Sequence, residues 1–121
     1  MLRLTLPPAD ELERQLTEAK LTGFLREQML VPGRKFRSDF SWREHRLAVE
    51  VDGGTFARQG AKRCRLCGQF PLGRHSTGTG RERDCEKLAL TVIAGWRVIV
   101  VTSMMVRDGR ALGYIKAALS S

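Results

Sequence analysis

The sequence predicts an α/β sandwich with the element order α, β, β, β, α, β, α. Three observations predict it: amphipathic helical stripes in the first and last parts of the chain, alternating strand-like segments joined by a charged turn, and a nearly continuous apolar run, Trp96 to Thr102. At 121 residues, 42% hydrophobic and 28% charged, the chain fits a single domain over residues 1–121.

The first helix is expected over about 10–21. Asp10 offers a side-chain cap, and Glu13 three residues on completes a capping-box pattern. Leu12, Leu16 and Ala19 recur at i, i+4 and i+7, so the core lies under them. Short segments follow: Phe24 to Val31, a Pro32-Gly33 turn, Lys35 to Trp42, the turn Arg43-Glu44-His45, and Arg46 to Asp52. Phe36, Ser38, Phe40 and Trp42 alternate with Arg37, Asp39 and Ser41, and Leu47, Val49 and Val51 alternate with Ala48, Glu50 and Asp52. That is the period of a strand, and the turn chemistry makes an antiparallel meander.

Residues 53–83 show no periodicity and read as a basic, glycine-rich loop inserted in the domain. From Arg83 the helical period returns. Cys85, Leu88, Ala89, Val92 and Ile93 form one stripe, expected to face the core, and Gly95 stands at the position of a left-handed cap. Trp96 to Thr102 is expected to be a strand buried on both faces. Asp108-Gly109 leads into a last helix with Ala111, Leu112, Ile115, Ala118 and Leu119 on one face.

Composition narrows the function. Net charge is +8 and the sequence pI is near 10.3, a balance that attracts polyanions and favours nucleic acid over acidic small substrates. Six of those eight charges fall in 53–83, where Arg58, Lys62, Arg63, Arg65, Arg74, Arg81 and Arg83 face one acid, Glu82. Such a loop either neutralises DNA phosphates, with its glycines allowing close backbone approach, or is a solvated loop. The longest apolar run is Val98 to Val101, far below the roughly 20 residues that span a bilayer, and Arg3 with the early prolines spoils a signal peptide. The expectation is a cytoplasmic protein that is not secreted and has no membrane partner.

Three cysteines do not make a disulfide framework. Cys64 and Cys67 form a Cys-x-x-Cys half-site, which either grips a structural Zn²⁺ with further ligands or stays as two free thiols; Cys85, on the apolar stripe, reads as a core thiol.

Asp39, Glu50 and Asp52 lie on neighbouring strand segments. Glu50 and Asp52 share a face because they are two apart. Either they are solvent-facing acids paired with arginines, or they converge on a hard divalent cation, Mg²⁺ or Mn²⁺, which polarises a phosphodiester and acidifies an attacking water.

The stretches KFRSDF, LAVEVDGG, GRHSTGTG, DCEK and GWRVI, in the order α-β-β-β-α-β over about residues 10–106, resemble the PD-(D/E)XK nuclease superfamily. Within it they are similar to small stand-alone endonucleases related to very-short-patch repair and phage-type Holliday junction enzymes. The resemblance implies a restriction-endonuclease-like αβββαβ core with a mixed sheet flanked by helices. It implies Asp39 and Glu50 as metal ligands, with the Val51 carbonyl as a further one, in a bacterial or phage-infected cell. The tripeptide here is Glu50-Val51-Asp52, so its usual lysine is absent. Two replacements stand open. Lys87, on the following helix, is where some members carry the lysine, although it also has Asp84 nearby to pair with. Alternatively Asp52 is a ligand and His75 moves the proton, its imidazole titrating near neutrality. The implied function is a metal-dependent DNA endonuclease, selective for branched or otherwise distorted duplex, in recombination or repair, with a homodimer suited to two-fold junctions. The competing class is a non-catalytic nucleic-acid-binding module, zinc-stabilised, on a degenerate nuclease fold.

Overall fold

The structure, a computed structural model, describes residues 6–52 and 78–121. Its elements are α1 (Pro8–Glu18), β1 (Leu25–Met29), β2 (Arg37–Trp42), β3 (Leu47–Asp52), α2 (Gly78–Ile93), β4 (Arg97–Thr102), α3 (Ser103–Arg107) and α4 (Arg110–Ser120). The strands form one sheet in the order β1-β2-β3-β4. β1, β2 and β3 are an antiparallel meander, and β4 joins β3 in parallel, Glu50 beside Val100 and Asp52 beside Thr102. A parallel neighbour requires a crossover, and α2 lies on it. The result is the expected mixed α/β sheet flanked by helices.

α1, α3 and α4 cover one face. Their Leu12, Leu16, Val106, Ala111 and Ile115 are buried against Phe40, Trp42, Leu47, Val49 and Val101 of the strands. Each fully buried aliphatic side chain of this kind stabilises the fold by roughly 1.5–3 kcal/mol relative to exposure. On the other face a smaller cluster of Leu30, Ala48 and Trp96, with Ala94 and Val98 against it, lies beneath the end of α2.

The start of α1 and the end of α2 follow backbone rules, whereas α3 is capped by a side chain, Thr102 Oγ1 accepting the Met105 N–H at 3.2 Å. α1 begins at Pro8 with Pro7 as its cap residue and no side-chain cap bond. The expected Asp10 cap is therefore displaced, because proline suits the first helical position, where its missing N–H costs nothing. Asp10 and Glu13 instead face Arg26 of β1. Gly95 has φ 99, and Gly95 N–H to Val92 O (2.9 Å) with Trp96 N–H to Thr91 O (3.2 Å) closes α2 in a Schellman motif, as its position predicts. Lys20 ends α1 the same way without a glycine, at φ 61.

α2 departs from expectation in two respects. It starts at Gly78, so residues 78–83, read from the sequence as the end of the loop, are helical. The turns before Lys87 are exposed at residues 81–86 and so carry no apolar period. Its apolar stripe also faces outward: Cys85 is exposed, as are Leu88, Val92 (56%) and Ile93 (78%). The covered face carries Lys87, Leu90, Thr91 and Ala94, of which Thr91 is buried. Cys85 is thus no core thiol. β4 is likewise not buried on both faces. It is the last strand of the sheet, with Val101 buried but Val100 45% exposed on the α2 side.

Candidate active site

β3, β4 and α2 converge on a cleft of about 380 Å³ lined by Glu50, Asp52, Arg81, Asp84, Lys87 and Val100, among others. The meander brings Asp39 to Glu50. Within β2, Asp39 lies just beyond Phe40, the last residue that pairs with β3, and its Oδ2 accepts the Val51 N–H at 2.7 Å, fixing the carboxylate against the strand that carries Glu50.

Lys87 enters from α2. Its Nζ donates to Glu50 Oε1 at 2.8 Å and to the Arg37 carbonyl at 2.5 Å, so the ammonium bridges β3 and β2. Both side chains are largely covered, Lys87 22% and Glu50 16% exposed. Burial raises the Glu50 pKa above that of an ordinary carboxylic acid, because desolvation penalises the anion. Lys87 and, more weakly, Ser38 oppose the shift by favouring the charged form, whereas the nearby Asp39 charge adds to it.

The sequence-derived candidates therefore separate by position. Asp39, Glu50 and Lys87 come together. Asp52 lies two residues further along β3, lining the same cleft. No group of three or more His, Cys, Asp or Glu side chains close enough to share an ion occurs among the described residues. Arg81 lines the cleft from the first turns of α2, and Arg83 is exposed on the same helix. Arg58, Lys62, Arg63, Arg65, Arg74, His75, Cys64 and Cys67 lie outside the described residues.

Sequence reasoning did not single out Asp84 as a member of the cleft, weighing it only as a partner for Lys87. Its signal was its spacing, one turn before Lys87 on the helix that delivers the lysine. Ser38 was missed as well; it was read as part of an alternating strand, and its effect on Glu50 depends on the fold.

The donor chemistry suits a hard divalent cation. Asp39 and Glu50 supply carboxylate oxygens from neighbouring strands, and Asp39 Oδ1 carries no hydrogen bond among the described residues. Such an ion would also lower the cost of an ionised, desolvated Glu50, which is the physical conflict the burial creates.

The sheet with helices on both faces is a mixed α/β fold, with a cleft carrying carboxylates and a lysine at its parallel edge. Among solved structures the chain is similar to the Homing Endonuclease I-Bth0305I Catalytic Domain, with a TM-score of 0.62, 16% sequence identity, and coverage of 94% of each chain. At that identity the likeness is one of fold. No protein-family model and no curated protein matches the chain. No helix among the described residues is long and apolar enough to cross a membrane.

Proposed function

We propose that this protein is a divalent-metal-dependent endodeoxyribonuclease that hydrolyses phosphodiester bonds, acting on branched or otherwise distorted duplex DNA. The observation that carries this reading is the Lys87–Glu50 contact beside Asp39. A lysine from α2 stands against the second carboxylate, supplying the cation that the Glu50-Val51-Asp52 tripeptide lacks.

In this reading Asp39 and Glu50 hold Mg²⁺ or Mn²⁺. When bound, the ion supplies Lewis acidity toward a phosphoryl oxygen and lowers the pKa of water. The chain's own residues do the rest. The Val51 N–H and Lys87 orient the two carboxylates, and the ammonium offers positive charge to a phosphate that is gaining negative charge. Arg81 at the cleft and the basic residues of 53–83 bind the DNA backbone, giving affinity that depends on salt and on DNA shape more than on base sequence. His75 remains the second candidate for proton transfer, and Asp52 for an additional ligand. Cys64 and Cys67 are proposed as half of a structural zinc site, and a homodimer as the form suited to a two-fold junction.

The test is cleavage of four-way, flap, mismatched and linear duplex DNA with Mg²⁺, Mn²⁺ or EDTA, alongside Glu50→Gln. Cleavage that requires the metal and disappears in Glu50→Gln supports the enzyme. Binding by both proteins with cleavage by neither identifies a non-catalytic DNA-binding module instead.

A further inference from the structure

Asp39 occupies a place where the sheet's backbone ladder gives way to side-chain bonds on both sides. Toward β3 the paired residues run Trp42 with Leu47, Ser41 with Ala48 and Phe40 with Val49, and the next bond is made by the Asp39 carboxylate to the Val51 N–H. Toward β1 the pairs Arg26 with Phe40 and Gln28 with Ser38 bracket Asp39. The residue between them, Glu27, has φ 58. A left-handed conformation is uncommon for a residue with a side chain, and the Glu27–Asp39 pair is the one missing from this stretch of the ladder. The Asp39 carbonyl receives its hydrogen bond from a side chain, Arg26 Nε, at 3.1 Å.

Arg26 is itself held from three directions. Its Nη1 donates to the Glu13 carboxylate of α1 and lies 3.6 Å from that of Asp10. Its guanidinium stacks over Phe40 at 4.7 Å from the ring centre. The planar fork can serve Glu13 and the Asp39 carbonyl at once, which a lysine ammonium on a flexible stem does not reproduce. Local strain of the Glu27 kind persists where surrounding structure over-determines it, and here that structure is the Arg26 network.

We propose that Arg26 is a positioning residue for Asp39. By fixing the Asp39 peptide from the β1 side while the Val51 N–H fixes its carboxylate from the β3 side, Arg26 sets the carboxylate against Glu50 before a cation arrives. The inference rests on the metal-binding reading of Asp39 and Glu50. Outer partners that orient metal ligands are typically worth about 10- to 100-fold in metal affinity.

The experiment uses the full chain and reads Mn²⁺ uptake directly, by titration with detection of free Mn²⁺ by electron paramagnetic resonance, on wild type, Arg26→Lys, Arg26→Gln, Glu13→Gln and Asp39→Asn. Circular dichroism checks the fold of each. Asp39→Asn is expected to lose binding. Arg26→Lys and Arg26→Gln are expected to remain folded and to bind Mn²⁺ about 10- to 100-fold more weakly. DNA cleavage should regain most of its maximal rate at saturating Mn²⁺, so the apparent metal constant moves and the limiting rate does not. Glu13→Gln removes the ion pair but keeps the Asp39 bond, and is expected to lower thermal stability while leaving Mn²⁺ affinity unchanged. Wild-type affinity in both folded Arg26 variants overturns the proposal, as does an equal loss in Glu13→Gln, which would mark the effect as general support of α1. Wild-type protein that takes up no Mn²⁺ overturns the metal reading, and this proposal with it.

Discussion

Lys87 Nζ lies 2.8 Å from Glu50 Oε1, across 37 positions of sequence, and also reaches the Arg37 carbonyl. One side chain thereby ties α2 to two strands and places a positive charge on the carboxylate that burial destabilises. Replacing it with methionine keeps the stem and removes the charge. Lys87→Met is expected to lower DNA cleavage at saturating metal by about 10²- to 10³-fold, the scale of losing a positioned charge-stabilising group. Single-turnover cleavage of a labelled four-way junction measures it, and a rate within a few-fold of wild type would give the catalytic charge to another residue.

Glu50 also makes stability depend on pH. Its pKa in the folded protein is raised above that in the unfolded chain, so the fold holds the proton more tightly. The stability this contributes is fully present below the ordinary carboxylate range and is lost as pH rises through the raised value. Glu50→Gln does not titrate. Urea unfolding in EDTA should therefore show the variant gaining on wild type as pH climbs through that window, and a difference that is flat or moves the other way contradicts the burial argument. Added Mn²⁺ should recover wild-type stability above the window and do less for the variant.

Two isoleucines test the orientation of the helices. Ile115 is fully buried under α4 and Ile93 is 78% exposed at the end of α2. Ile115→Ala is expected to cost about 2–5 kcal/mol, whereas Ile93→Ala should change stability by no more than about 0.5 kcal/mol. Chemical denaturation of the two variants decides whether the richer apolar stripe of α2 faces solvent.

Arg81 lines the cleft, Arg83 lies two residues further along α2, and both are exposed. If they contact DNA phosphates, replacing each with alanine should weaken binding evenly across sequences and reduce the slope of log affinity against log salt by about one. Fluorescence anisotropy at several salt concentrations gives the slope. An unchanged slope removes them from the DNA-binding surface.

The contrast between those two helices also shows which parts of the fold were legible in the sequence. The alternation in Phe40–Trp42 and Leu47–Val51 was enough to place a meander, and with it Asp39 next to Glu50, because Phe40, Trp42, Leu47 and Val49 all join the core of one sheet face. Gly95 announced the end of α2 because only a left-handed residue closes that motif cheaply. α2 itself misled. Its most hydrophobic stripe is not its buried one, since the helix turns inward the face that carries Lys87 and Thr91. Local pattern and global fold disagree at the element that delivers the candidate catalytic charge, which is where such conflicts are expected. Lys87 was visible as a candidate, but the choice of its partner was not, because Asp84 is near in sequence and Glu50 only in space. The tie between Arg26 and Asp39 had no sequence signal, as it depends on the left-handed turn at Glu27 that opens the ladder.

The parallel attachment of β4 has a consequence for when the site comes into being. β1, β2 and β3 pair in chain order with short turns, so Asp39 and Glu50 meet through contacts close in sequence. Lys87 and β4 follow only after the intervening chain closes, the slower step in assembling a mixed sheet. The two carboxylates and the ammonium thus belong to different classes of contact, the first local along the meander and the second made only across the crossover. On the reading proposed above, a change that weakens the docking of α2 removes the ammonium while leaving Asp39 and Glu50 on their paired strands.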